Sequence, residues 1–162
     1  MSDRAASFAE LDAATVARWQ RFGRSGTVHF PEYLGLTVED VRAGYCRMRM
    51  PFRPELLHGG GIVHGGALAT LLDAVLVPAI GSGLGPGAEF STIDLHVQFL
   101  EAVADDDVVA EGWVVRQGRR IVVGESEARA ATSGRLIAKS VLTYHVAGGH
   151  RADDRTTEER SA

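Results

Sequence analysis

The stretch His58–Ile80, HGGGIVHGGALATLLDAVLVPAI, decides how this chain folds. Glycines at 59–61 and 65–66 rule out a long regular element before Ala67. From Ala67 to Ile80 apolar residues occupy almost every position, so a helix here has little polar face to offer water and is expected to be buried. Pro78 lacks the N–H that would bond the carbonyl of Ala74, and the helix should end or kink there. Thr70, Asp73 and Pro78 interrupt the apolar run, which falls short of the roughly 20 residues that a membrane helix needs. No membrane span is expected.

Short β segments lie on both sides of this helix. Upstream, Leu36–Val38 and Tyr45–Met50 are parted by Ala43-Gly44, and Cys46, Met48 and Met50 alternate with Arg47 and Arg49, as in a hairpin. Further upstream, Phe8, Leu11, Val16, Trp19 and Phe22 give residues 7–22 a loose helical pattern. Downstream, Thr92–Gln98 alternates, with Ile93, Leu95, Val97 and Phe99 on one side and Thr92, Asp94, His96 and Gln98 on the other. Val108–Arg116 and Ile121–Ala130 flank Gln117-Gly118, and Leu136–Val146 follows Ser133-Gly134, so glycine marks both connections as hairpin turns. The sum is two strands, a buried helix and four strands in an antiparallel meander. Such a sheet would curl around the helix and leave an edge or outer face for a partner. Residues 1–32 read as an N-terminal helical extension, 33–147 as the main domain and 148–162 as a charged, disordered tail.

Composition narrows the function. With 17 Lys+Arg against 21 Asp+Glu the formal net charge is -4, which lacks the basic footprint of a nucleic-acid binder. The lone Cys46 excludes an internal disulfide and suits a reducing compartment. The N-terminal MSDRAASFAELDAATVARWQRF has no continuous apolar core, so it does not read as a secretory signal and a cytoplasmic location is expected.

Two features carry chemistry. Gly65 and Gly66 open the helix, so their N–H groups fall among its unsatisfied donors, where the macrodipole also favours negative charge. Such a site can hold a carbonyl oxygen as it becomes an oxyanion. Asp73 sits among Leu71, Leu72, Ala74, Val75 and Leu76, where an unpaired carboxylate is costly. It is either a reacting group or a residue paired with a buried Arg or a backbone group. At a rise of 1.5 Å per residue, Gly65 and Asp73 lie roughly 12 Å apart, too far to serve one reacting bond. Two antiparallel helices across a two-fold axis would bring Gly65 of one copy to Asp73 of the other.

The string from His64 through Gly65-Gly66 to Asp73, followed by STIDLHVQFL, VVRQGRRIVVGESEA and SGRLIAKSVLTYHV, resembles the hotdog-fold acyl-CoA thioesterases of the phenylacetate-pathway type over about residues 34–146. The resemblance implies an α+β hotdog fold, an antiparallel six-stranded sheet wrapped around a central helix, here with an extra N-terminal helix. It implies hydrolysis of acyl-CoA to free acid and CoA by a dimer that can associate further into a tetramer. In that scheme the Gly65 N–H binds the thioester carbonyl and Asp73 activates water or attacks directly. His58 stands where relatives carry an Asn or Gln that touches substrate. Thr92, or Ser91 beside it, matches an assisting hydroxyl at the start of the following strand, whereas Val77 stands where another branch has its hydroxyl.

Among the six histidines no metal-ligand spacing occurs, and a thioester needs neither metal nor cofactor beyond the CoA of the substrate. His64 reads as bonded to backbone at the glycine turn, next to substrate, with Gly66 beside it. Arg116, Arg119 and Arg120 flank the Gln117-Gly118 turn and suit CoA phosphates, or equally a solvated hairpin tip. Two other classes stay open: a non-catalytic acyl-CoA binding or regulatory module, and a hotdog hydratase or dehydratase for which His58 would supply the histidine.

Overall fold

The computed structural model describes residues 4–24, 26, 28–85 and 87–147, and the tail expected at 148–162 lies outside them. Helices α1 (Ala13–Gln20) and α2 (Phe30–Leu34) lead into strands β1 (Thr37–Arg42) and β2 (Tyr45–Met50). Helices α3 (Gly65–Ala74) and α4 (Leu76–Gly81) follow, then β3 (Glu89–Phe99), β4 (Val108–Gln117), β5 (Ile121–Ala130) and β6 (Leu136–Ala147). The strands form one antiparallel sheet in the order β1-β2-β4-β5-β6-β3. Only β4, β5 and β6 make the expected meander. β3 crosses past them to pair with β6 and becomes an edge, because residues 100–107 carry the chain from one side of the sheet to its middle. Asp107 anchors that crossing on the Phe52 N–H at 2.8 Å and on Arg49 at 3.1 Å.

The sheet curls around α3, which packs against β2 to β6. The helix ends at Ala74 and restarts at Leu76, the break expected from Pro78, which has no N–H to donate to the Ala74 carbonyl. A proline is accommodated where its missing N–H has no helical acceptor, and restarting the helix at Leu76 puts Pro78 in the first turn of α4. At this break the sheet comes closest. A Cβ at Gly112 would stand 2.8 Å from Val75 Cγ1, and one at Gly124 would stand 2.8 Å from Leu76 Cδ2. The expectation of a helix buried all round is corrected: Gly66, Ala69, Thr70, Asp73 and Val77 form a stripe that is only half-buried or exposed.

The strict alternation expected in β3 is also corrected. The register of β3 against β6 slips between Thr92 and Asp94, leaving Ile93 as a bulge. Thr92 pairs with Tyr144, while Leu95, Val97 and Phe99 pair with Leu142, Ser140 and Ala138, so even and odd positions of β3 share the inner face. Ile93 is 58% exposed.

The N-terminus differs from a single helix over 7–22. Asp12 caps α1 by accepting from the Thr15 N–H at 2.9 Å, which starts the helix at Ala13. The 3-10 turn Arg4–Ser7 lies outside α1 and straps the outer face of the sheet. Arg4 covers the Trp113 ring at 3.5 Å and pairs with Glu127, and Phe8 stacks on Tyr45 at 5.2 Å. Beneath the strap the fully buried Tyr45 donates to Glu111 at 2.7 Å.

Gly112→Ala is expected to destabilise the fold by about 1–3 kcal/mol, since the new methyl meets a stiff β-branched side chain and the Val75 carbonyl carbon at 3.3 Å. A lowered denaturant midpoint at unchanged slope checks it; an unchanged midpoint would show that the helix can move away from the sheet.

Candidate active site

The first half of the site is the N-terminus of α3. His64 is the N-cap, and its Nδ1 accepts from the Gly66 N–H at 2.8 Å. The imidazole therefore does the work that Ser or Asp does at other helix starts. Acceptance at Nδ1 assigns the neutral ring's proton to Nε2. His58 is built alike, its Nδ1 accepting from the Gly60 N–H at 2.8 Å, and the two rings meet edge to face with centroids 6.3 Å apart. With Gly66 engaged, the Gly65 N–H has no acceptor among the described residues. Phe99, 55% exposed, lies against Gly65, where a Cβ would stand 3.1 Å from the tip of the ring.

The second half is the last turn of the same helix. Asp73 Oδ1 accepts from the Thr92 hydroxyl at 2.8 Å and from the Tyr144 hydroxyl at 2.5 Å, and Tyr144 also reaches the Asp73 carbonyl at 2.9 Å. These contacts meet the demand of a carboxylate on an otherwise apolar helix without an arginine. Burial raises the Tyr144 phenol well above the ordinary tyrosine value, and the nearby Asp73 charge and hydrogen bond raise it further. The phenol stays protonated and serves as a donor throughout the neutral range.

The structure brings Thr92 to Asp73; Ser91 is exposed and pairs with His145 instead. Val77 lies on the open stripe and offers no hydroxyl. Gly65, Gly66, His64 and His58 gather at one end of α3 and Asp73 with Thr92 at the other, so one chain holds two half-sites. Arg116, Arg119 and Arg120 are exposed at the β4–β5 hairpin. The Arg120 carbonyl accepts from the Val146 N–H, two residues beyond Tyr144, so this hairpin lies at the Asp73 end of the sheet. Tyr144 is the member that sequence reasoning missed. Its signal was a buried-face tyrosine, whose hydroxyl needs a partner. Among the described residues no three His, Cys, Asp or Glu come together to hold a metal ion, and no helix is long and apolar enough to cross a membrane.

Fold and half-sites together define a hotdog protein with an acid on its central helix. Residues 60–137 match the thioesterase superfamily model. A conserved protein of Pseudomonas aeruginosa superposes with a TM-score of 0.70 at 30% identity, covering 75% of this chain and 95% of that one. A hypothetical thioesterase protein of Streptococcus pneumoniae, solved with coenzyme A, gives a TM-score of 0.65 at 26% identity over 72% of this chain and 89% of that one. Human acyl-coenzyme A thioesterase 13 is 26% identical over 120 residues, 73% of this chain and 85% of the relative. A Halobacterium salinarum protein, provisionally called an esterase, is 40% identical over 98 residues, 57% of this chain and 64% of that relative, so the chain spans somewhat under two thirds of its length. This chain belongs to the thioesterase superfamily.

His64→Ala removes the cap from α3 and is expected to cost about 0.5–2 kcal/mol, most of it restored by His64→Asn. Thermal denaturation of the two variants checks this; equal loss in both would mean that the ring, not the cap, matters.

Proposed function

We propose that the protein hydrolyses acyl-CoA thioesters to the free acid and CoA, with Asp73 of one subunit and the Gly65 N–H of a second subunit acting on one substrate. The carrying observation is the Asp73 carboxylate, placed on the open stripe of α3 and held through Oδ1 by Thr92 and Tyr144. Oδ2 of this carboxylate has no hydrogen-bond partner among the described residues, which supports its being open to a reacting group. The coenzyme A complex of the pneumococcal relative and the name of the human one support CoA esters as the substrate class. Meeting Thr92 rather than a hydroxyl at Val77 supports the phenylacetate-pathway type of thioesterase.

The dimer reading is supported by the same stripe and by β3, an 11-residue edge strand with Ile93, Leu95 and Phe99 exposed. An edge of this length is ready to pair with a second copy. Antiparallel α3 helices across that two-fold would then bridge the roughly 12 Å that separates the half-sites. Further association of dimers would give the tetramer. Buried Cys46 fits a reducing, cytoplasmic setting.

The chemistry balances in two ways. In one, Asp73 takes a proton from water as the water oxygen adds to the thioester carbonyl carbon, the oxygen of that carbonyl becomes an oxyanion on the Gly65 N–H, and the C–S bond breaks to release the CoA thiolate. In the other, the carboxylate itself adds, expels the thiolate, and water opens the mixed anhydride. His58, through Nε2–H, is suited to the donor place that Asn or Gln holds in relatives, with His64 and Gly66 beside it. Arg116, Arg119 and Arg120 are suited to the CoA phosphates.

Thiol release from aromatic and short-to-long aliphatic acyl-CoAs tests the proposal. Asp73→Asn is expected to lower kcat by about 10²–10⁴-fold. Release from no substrate by the wild type would shift the reading to a binding module. Single turnover in ¹⁸O-water bears on the route: label in Asp73 with none in the first-turnover acid marks a mixed anhydride opened at the Asp73 carboxyl carbon.

A further inference from the structure

Resting on the reading of Asp73 as the reacting carboxylate, we infer that Tyr144 is a positioning residue which, with Thr92, commits Asp73 Oδ1 to hydrogen bonding and leaves Oδ2 as the oxygen that reacts. Both hydroxyls converge on the same atom, at 2.8 Å from Thr92 and 2.5 Å from Tyr144. Among the described residues Oδ2 has no hydrogen-bond partner. Tyr144 is also 2.9 Å from the carbonyl of Asp73, so one phenol touches the backbone and the side chain of the same residue and fixes one against the other.

The two donors approach from neighbouring strands. Thr92 and Tyr144 are directly paired across β3 and β6, which keeps their separation constant. The bulge at Ile93 returns β3 to its inner-face register after Thr92, so Phe99 packs on Gly65 while Thr92 packs on Asp73. A carboxylate held this way cannot exchange its two oxygens by rotating about its terminal bond without losing two hydrogen bonds. Water or the thioester carbon then meets one oxygen only, in one direction. Tyr144 is 1% exposed, so its hydroxyl acts through Asp73 and not on the substrate.

Four proteins test this: wild type, Tyr144→Phe, Thr92→Val and the double variant, with Asp73→Asn alongside. Tyr144→Phe keeps the ring and its packing, and circular dichroism verifies the fold. The expected result is a fall in kcat of about 10- to 100-fold, the size of one hydrogen bond to a charged group, with KM within about twofold of wild type. Thr92→Val should behave alike. The double variant should lose less than the product of the single losses, because both donors act on one oxygen. Wild-type kcat in Tyr144→Phe beside an inactive Asp73→Asn would overturn the positioning role and leave the catalytic assignment standing. Multiplicative losses in the double variant would also overturn it, since the residues would then act separately. Turnover retained in Asp73→Asn would instead remove the reacting carboxylate on which the inference rests.

Discussion

An apolar helix of ten residues gains most by covering itself, and α3 does so by lying inside a curled sheet whose strands β2 to β6 all reach it. Everything chemical in the molecule follows from that placement. The sheet can close on the helix only where it carries no side chain, at Gly112 and Gly124, and those positions fall beneath the break at Val75. Asp73 therefore sits in the last intact turn, pressed towards the strands that supply Thr92 and Tyr144. The N-terminus of the same helix is left with a polar start, where His64 takes one N–H and Gly65 keeps another available.

Much of this was legible in the sequence because it depends on local rules. The glycine start, the apolar run, the alternation of Cys46, Met48 and Met50, and the hairpin glycines each act over a few residues. What was not legible depends on pairing between distant segments. The bulge at Ile93 is set by how β3 fits β6 and α3 together, and a perfect period of two in the sequence concealed it. The place of β3 at the sheet edge depends on the path of residues 100–107, which have no periodicity to read. Tyr144 lies within the strand expected at Leu136–Val146, yet nothing along the chain says that its hydroxyl meets Asp73, 71 positions earlier. Pro78, by contrast, was legible as the breaker, and α3 does end at Ala74, whose carbonyl the proline cannot serve.

His58 and His64 show that imidazole can fill a backbone-binding place usually taken by another residue type. Imidazoles near a candidate site suggest acid–base work, but here both use Nδ1 to hold a backbone N–H, as a carboxylate or hydroxyl would in a turn or cap.

The strap formed by Arg4–Ser7 and Phe8 has a consequence for how the family's architecture can be varied. It lays a guanidinium on Trp113 and a ring on Tyr45, occupying sheet surface that would otherwise be open for another protein to stack upon. The chain thereby supplies from its own N-terminal segment a cover for the back of its sheet. Trimming that segment would bare Trp113 and Tyr45 on the back of the sheet without touching a residue that faces Asp73.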